Sequence, residues 1–284
     1  MKKFILNADG FGESKDINRA VLECYKYGLL KSVSITPNGD AFDEAVNDII
    51  PNCPEIGVGI HLNITKGKSL CSDLKTLTDE NKKFNNSFLM ILLKTYLPKN
   101  EEFMQEIERE FRNQIEKTMS KTPVSHIDSQ EYIHAIPKIF KMVCRLAKEY
   151  NIRYVITHHE KPYFVPDAMR HLTLRYLVNF FIHKFLNIIN VINEVSLRIN
   201  KLRTNNYLIG VSYNAMMDSL AVHYGLKDIK AKQTVVEVVI HPKRYEEGQV
   251  DGCFGEFILA KNQKLKDKIE GLGYLITNYV KKET

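Results

Sequence analysis

The chain has no closely spaced cysteine pair, no nucleophile elbow and no glycine-rich phosphate loop. Its five cysteines, Cys24, Cys53, Cys71, Cys144 and Cys253, are odd in number and far apart. That excludes a disulfide framework and any C-x-x-C motif, and it reads as reduced thiols in a cytoplasmic protein. The absence of G-x-S-x-G, of a Walker A lysine loop and of G-x-G-x-x-G removes the usual serine hydrolases and the common nucleotide-binding designs. Long apolar runs are missing as well. The N-terminal MKKFILNADG holds three consecutive strongly apolar residues, too few for a signal-peptide core. The most apolar long stretch, Leu172 to Ile199, is broken by His183, Lys184, Glu194 and several Asn, so no transmembrane segment is expected. The 40 Lys and Arg exceed the 34 Asp and Glu by a formal +6, but they are spread along the chain. No nucleic-acid partner is expected from such a distribution, whereas a mild positive field suits anionic glycans or a membrane surface.

What is present is an alternation of strand-length apolar runs with longer stretches of helical period, the pattern of βα units around a parallel sheet. Strands are expected at Lys3 to Ala8, Ser32 to Thr36, Gly57 to Ile64, Val124 to Ser129, Arg153 to Thr157, Val235 to Ile240 and Tyr274 to Thr277. Helices are expected at Asn18 to Leu30, Glu101 to Met119, Ile136 to Tyr150 and Phe254 to Leu272. In the second helix, Phe103, Ile107, Phe111, Ile115 and Met119 recur every four residues, with Asn100 as its cap and Glu108 positioned to pair with Arg112. Seven such strands fit an α/β barrel or a doubly wound sheet. No repeat or linker divides the chain, so it reads as one domain, 1–284, with a helical insertion at about 167–203. In that insertion Leu174, Leu177, Val178, Phe181, Phe185, Ile188, Ile189, Ile192 and Val195 make one long apolar face. Core packing is the leading reading of that face, and a substrate lid, a homodimer contact or a basic surface helix lying on a membrane are the alternatives.

Strand alternation decides which side chains meet. In GVGIHLNI, Val58, Ile60, Leu62 and Ile64 share one face, while His61 and Asn63 share the other. In VSHIDSQEYIH, His126, Asp128 and Gln130 fall on one side, with Tyr132 and His134 continuing the register and Glu131 on the opposite side. The run VVEVVIHP ends on His241 and Pro242, much as the first strand ends on Asp9, and ITHHE repeats the pattern. Each acid or imidazole alone fits a turn or a cap, but Asp9, His61, His126, Asp128, His134 and His241 all fall at or near predicted strand ends. In β/α architectures the C-terminal strand ends converge on the active-site face. Carboxylates that remove a proton from water, an imidazole that donates one, and further ligands for a metal together support hydrolysis.

Taken in order, the motifs resemble those of the YdjC-like carbohydrate deacetylases. NADGFG, with its helix and SVSITPNG, is similar to that family's NADDFG, helix and S-T-S-x-x-x-N-G. GIHLNITKGKSL is similar to G-L-H-L-N-L-T-x-G-x-P-L, HIDSQEYIHAIP to H-x-D-S-H-x-H-x-H-x-x-P, and the strand ending in His241 and Pro242 to E-L-x-x-H-P, with Glu237 slightly earlier. The resemblance implies a distorted β/α barrel with parallel strands and metal-dependent removal of an acetyl group from an N-acetylated sugar or oligosaccharide. It implies Asp9 as catalytic base, His241 as general acid, His61 as a ligand for a divalent Zn or Mg ion, and Asn63, His126, Asp128, Tyr132 and His134 near the substrate. Gly10 and Gln130 stand where the family has its other two ligands, an Asp and a His. Tyr132 replaces a further His, and Ile156 stands where Arg is common. A hydrolase with a weakened or absent metal site is therefore expected; the alternative is a catalytically inactive relative that binds a glycan or partner protein in polysaccharide metabolism.

Overall fold

The structure is a computed structural model that describes residues 1–167, 171–245 and 251–280. Positions 168–170 of the expected insertion thus lie outside the described residues. Eight parallel strands are present among them: β1 (Lys2–Phe11), β2 (Ser32–Ile35), β3 (Gly57–Leu62), β4 (His126–Ser129), β5 (Tyr154–Val155), β6 (Tyr207–Ile209), β7 (Thr234–Ile240) and β8 (Tyr274–Ile276). Seven were expected; β6, three residues long, was not. The sheet runs β5-β4-β3-β2-β1-β7-β6, and β8 pairs with the first residues of β1, Lys2 to Phe4. It curls into a half-barrel whose two ends approach through the Tyr154–Arg203 bridge and the hydrogen bond from the Leu208 amide to the His159 carbonyl, 2.8 Å.

Both faces of this sheet are covered, so its strands read as near-continuous apolar runs. Phe4, Leu6 and Ala8 of β1 and Val236, Val238 and Ile240 of β7 pack outward in one large cluster under the helices. Ile60 and Leu62 of β3 and Ile127 of β4 pack outward in a second. Ile5 faces the barrel interior with Ile156, Leu186, Leu208 and Tyr279. The alternation expected for β3 therefore holds, and the odd-numbered positions of β1, β3 and β7 point inward.

Helix Lys15–Tyr27 starts at Ser14, whose hydroxyl accepts from the Ile17 amide. Helix Glu101–Met119 buries Phe103, Ile107, Phe111 and Ile115 as its period predicts, while Met119 is exposed at its end. Asn100 precedes this helix but its side chain donates to the Thr95 carbonyl instead of capping. Glu108 does pair with Arg112, at 3.1 Å. The same helix also buries Glu106 and Glu110, which accept backbone amides of Lys75, Thr76, Leu70 and Cys71 and so pin the long connection after β3.

Two helical expectations are corrected. The stretch Phe254 to Leu272 is two helices, Gly252–Ala260 and Gln263–Gly271, because the backbone at Asn262 is non-helical (φ −79°, ψ 101°) and its side chain accepts from the Leu265 amide to start a second helix. The helix Leu174–Asn200 is continuous, but its apolar face is not core. It buries Asn179, His183, Leu186, Ile189, Asn190, Asn193 and Leu197, and leaves Phe181 70% and Ile188 68% exposed. Short polar side chains that hydrogen-bond to the body, such as Asn193 to the Ala135 carbonyl at 2.8 Å, hold it in place. No helix among the described residues is long and apolar enough to cross a membrane.

Candidate active site

At the C-terminal ends of β1, β3, β4 and β7 the inward positions are Asp9, His61, Asp128 and His241. They line one cavity of about 490 Å³ together with Lys66, Gln130, Tyr132, His158, Asn214 and Glu237. Its outer wall is apolar, made by Phe88, Ile182, Phe185 and Leu186.

A chain of hydrogen bonds from His61 through Asp128, Ser34 and Asn7 to Asp9 organises the floor. His61 Nδ1 lies 2.7 Å from Asp128 Oδ1 and 3.9 Å from Asp9 Oδ2. The Ser34 hydroxyl donates to Asp128 Oδ2 at 2.5 Å, and Asn7 Nδ2 donates to both Ser34 Oγ and Asp9 Oδ1, at 2.9 and 2.8 Å. Ser34 lies on β2, paired with Asp9 in register, so it stands beside Asn7, and the two side chains together link Asp128 to Asp9. Burial raises the Asp9 carboxyl to about 7, helped by the charge of Asp128, against the pull of His61 and His241. For His61, burial alone would lower the imidazole, but Asp128 and Asp9 outweigh it and lift it to about 9. Burial works to raise Asp128 too, yet its contacts with His61 hold it below its ordinary value. His241 stands across the cavity with its amide on the buried Glu256 carboxylate at 2.5 Å and Nδ1 3.5 Å from the same oxygen. Desolvation opposes its protonation, but the Glu256 hydrogen bond and charge prevail, so His241 titrates above its ordinary value.

The donor atoms of Asp9, His61 and Asp128 lie within 4.8 Å of one another, the arrangement of a cation-binding cluster. Two carboxylates and an imidazole suit a divalent cation of the Zn or Mg type, so the residues present fit one. Gly10 has φ +80°, and a Cβ there would meet the Glu13 carboxyl group at 3.3 to 3.5 Å. With its amide oriented to satisfy its neighbours, Gln130 donates to Glu13 Oε1 at 3.0 Å, reaches His61 Nε2 at 3.3 Å, and accepts from Lys66 Nζ at 3.0 Å. Glu13 therefore brings a carboxylate into the space that the glycine leaves open.

Not every residue expected at the site reaches it. Asn63 folds back on its own loop, accepting from the Thr65 and Lys66 amides and donating to Asn38. His126 is fully buried beneath the cavity, its Nε2 3.1 Å from Ser34 and its ring against Tyr279, and Gly59 makes room for it, since any Cβ there would lie 2.3 Å from the ring. His134 is also fully buried, held by Ser129 at 2.5 Å and the Ile156 carbonyl at 2.9 Å. Burial lowers both imidazoles to about 4, which keeps them neutral near pH 7, and neither lines the cavity. The expected register beyond Ser129 fails because Glu131 and Tyr132 take left-handed φ of 52° and 62°, which swings Gln130, Glu131 and Tyr132 all onto the cavity wall. Tyr132 accepts from Asn214 Nδ2 at 3.1 Å. Ser34, Glu13, Lys66, His158, Asn214 and Glu256 were not singled out from the sequence. Of these only His158, in ITHHE, carried a strand-end signal.

The model of the YdjC-like protein family matches residues 3–268. This chain belongs to the YdjC-like family. Curated relatives include the carbohydrate deacetylase of Clostridium beijerinckii, 38% identical over 151 residues, covering 53% of this chain and 58% of that protein. The carbohydrate deacetylase of Brevibacillus brevis is 34% identical over 151 residues, 53% and 57% of the two chains. The chain thus matches these relatives over less than two thirds of their length. Among solved structures, a protein of Enterococcus faecalis V583 provisionally described as a cellobiose-phosphate cleavage protein superposes with a TM-score of 0.74 and 21% identity over 98% of this chain and 97% of that one. The fold of this YdjC-like protein, expected from its motifs, is that of this structural neighbour.

Proposed function

We propose that this YdjC-like protein is a hydrolase that removes the acetyl group from an N-acetylated sugar. The observation that carries the reading is the convergence of Asp9, His61, Asp128 and His241, from inward positions of four different strands, in one cavity. The curated relatives named carbohydrate deacetylase supply the reaction class.

In this reading Asp9 takes the proton from the attacking water and His241, kept protonated by Glu256, gives one to the departing amine. Asn7 holds Asp9 through a hydrogen bond to one oxygen and leaves the other facing the cavity. Asp128 fixes the ring of His61, as a carboxylate does for a metal-bound imidazole. A divalent cation bound here would polarise the acetamide carbonyl and the water. His61 and Asp128 would hold it, and Glu13, beside Gly10, would add negative charge nearby, which leaves Asp9 to act as the base. A silent glycan-binding relative is less well supported, because such a protein has no need of the buried Glu256 behind His241 or of the hydrogen-bond chain that orients Asp9.

Acetate release from N-acetylglucosamine oligomers, measured together with metal content, tests the proposal. Asp9→Asn and His241→Ala are each expected to lower turnover by about 100-fold or more, while both variants keep the circular-dichroism spectrum of the folded protein. Full turnover in both variants would refute the assignment.

A further inference from the structure

The helix Leu174–Asn200 faces outward with its apolar side. His183 donates to the Glu160 carbonyl at 2.8 Å and Asn193 docks on Ala135, while Phe181, Ile188 and Val191 are 68 to 70% exposed. The helix Phe88–Tyr96 does the same, with Leu89 and Leu93 exposed. The two meet at the cavity mouth, where the Phe88 and Phe185 rings stand edge to face at 6.3 Å and both line the cavity. Single exposed apolar residues are ordinary, but an apolar face along a helix of 27 residues, roughly 40 Å at 1.5 Å per residue, is not.

We propose that this face docks the protein on an anionic lipid leaflet, with the cavity opening toward the headgroup layer. Charge selects the occupant. The exposed charged side chains of the long helix are Arg175, Lys184 and Arg198, and its one acid, Glu194, is held by Arg198 at 2.8 Å. The shorter helix carries no acid at all. A second copy packed face to face would bring these cations together and close the cavity mouth, whereas an anionic leaflet attracts them. Because neither helix is long and apolar enough to cross a membrane, the geometry is that of an amphipathic helix lying in the interface. A corollary, which rests on the hydrolase reading above, names the substrate class: an acetamido sugar carried on a lipid.

Flotation with vesicles of equal parts phosphatidylcholine and phosphatidylglycerol tests the docking. Binding should be about tenfold or more tighter than to phosphatidylcholine alone. It should fall by a similar factor in Phe181→Asp/Val191→Asp, and in Arg175→Glu/Lys184→Glu, which leaves the apolar residues untouched. No binding to either vesicle overturns the proposal, and so does a dimer in sedimentation that the apolar variant converts to monomer. Asp9→Asn should bind vesicles as the unmodified protein does, separating docking from catalysis. Acetate release from an acetamido-sugar glycolipid in those vesicles, faster than from free oligomers and slowed by the apolar variant, supports the substrate class. Faster turnover of free oligomers, indifferent to vesicles, overturns that class and leaves the hydrolase reading standing.

Discussion

Gly10 shows how a substitution at one position is read differently once its neighbours are visible. In the sequence it is a lost carboxylate beside Asp9. In the structure its φ of +80° turns the chain so that Glu13 swings under the position its Cβ would occupy, 3.3 Å from the Glu13 carboxyl carbon. Restoring an acid by Gly10→Asp is therefore expected to strain the backbone by roughly 1 to 2 kcal/mol, to crowd Glu13, and to lower the thermal midpoint without tightening Zn²⁺ binding. The double change Gly10→Asp/Glu13→Ala should recover cation affinity in a calorimetric titration; tighter binding in the single variant would contradict this account. His61 and Asp128 were legible from strand alternation, and Asp9 and His241 because each directly follows an apolar strand run. Glu13 was not, since it follows the strand by two residues and arrives through left-handed turns at Gly10 and Gly12. Asn63, His126 and His134 had the right residue type and near-strand position, yet Asn63 lies just past its strand end, His126 just below the cavity floor, and His134 beyond the left-handed turn.

At the scale of elements, periodicity located helices well and misjudged where they break and which way they face. The apolar spacing continues smoothly through Lys261 and Asn262, but the Asn262 side chain takes the Leu265 amide and begins a new helix. Asn262→Ala should cost about 1 kcal/mol, typical of a lost N-cap, and chemical denaturation would register it as a lower midpoint with an unchanged slope; no shift would mean the cap is dispensable. The helix Leu174–Asn200 carries two faces of nearly equal plausibility. Nine apolar residues outweigh a stripe of Asn and His on any hydropathy scale, so the sequence favours burying them. The body offers carbonyls at Glu160 and Ala135 to that polar stripe, and a hydrogen bond made in a buried place decides the orientation. The same inversion exposes the face argued above to meet lipid.

The whole molecule adds a pH dependence that no single element would have. His134 is buried and neutral, its pKa lowered from 6.5 to about 4 by burial. Between those values the unfolded chain binds the proton more readily, so this histidine's contribution to stability is present above about pH 6.5 and lost as pH falls toward 4. Asp9 and Glu237, both raised by burial, act in the opposite sense over part of the same range, so the difference between proteins isolates His134 better than the net curve. The destabilisation caused by His134→Gln should shrink by roughly 2 kcal/mol from about pH 7 to about pH 5. Denaturant unfolding at the two pH values measures it, and a pH-independent difference would contradict the neutral assignment.

The amino-acid sequence by itself determined the parallel β/α architecture, the family and the four inward residues at the strand ends, because all of these follow from period-two alternation and short local motifs. Three things waited for the tertiary structure: the carboxylate of Glu13 beside Gly10, the retreat of His126 and His134 from the cavity, and the outward turn of the longest helix. Each depends on which backbone carbonyl, hydroxyl or open space a side chain meets across the fold, and that is a property of distant chain segments brought together, not of spacing along one of them.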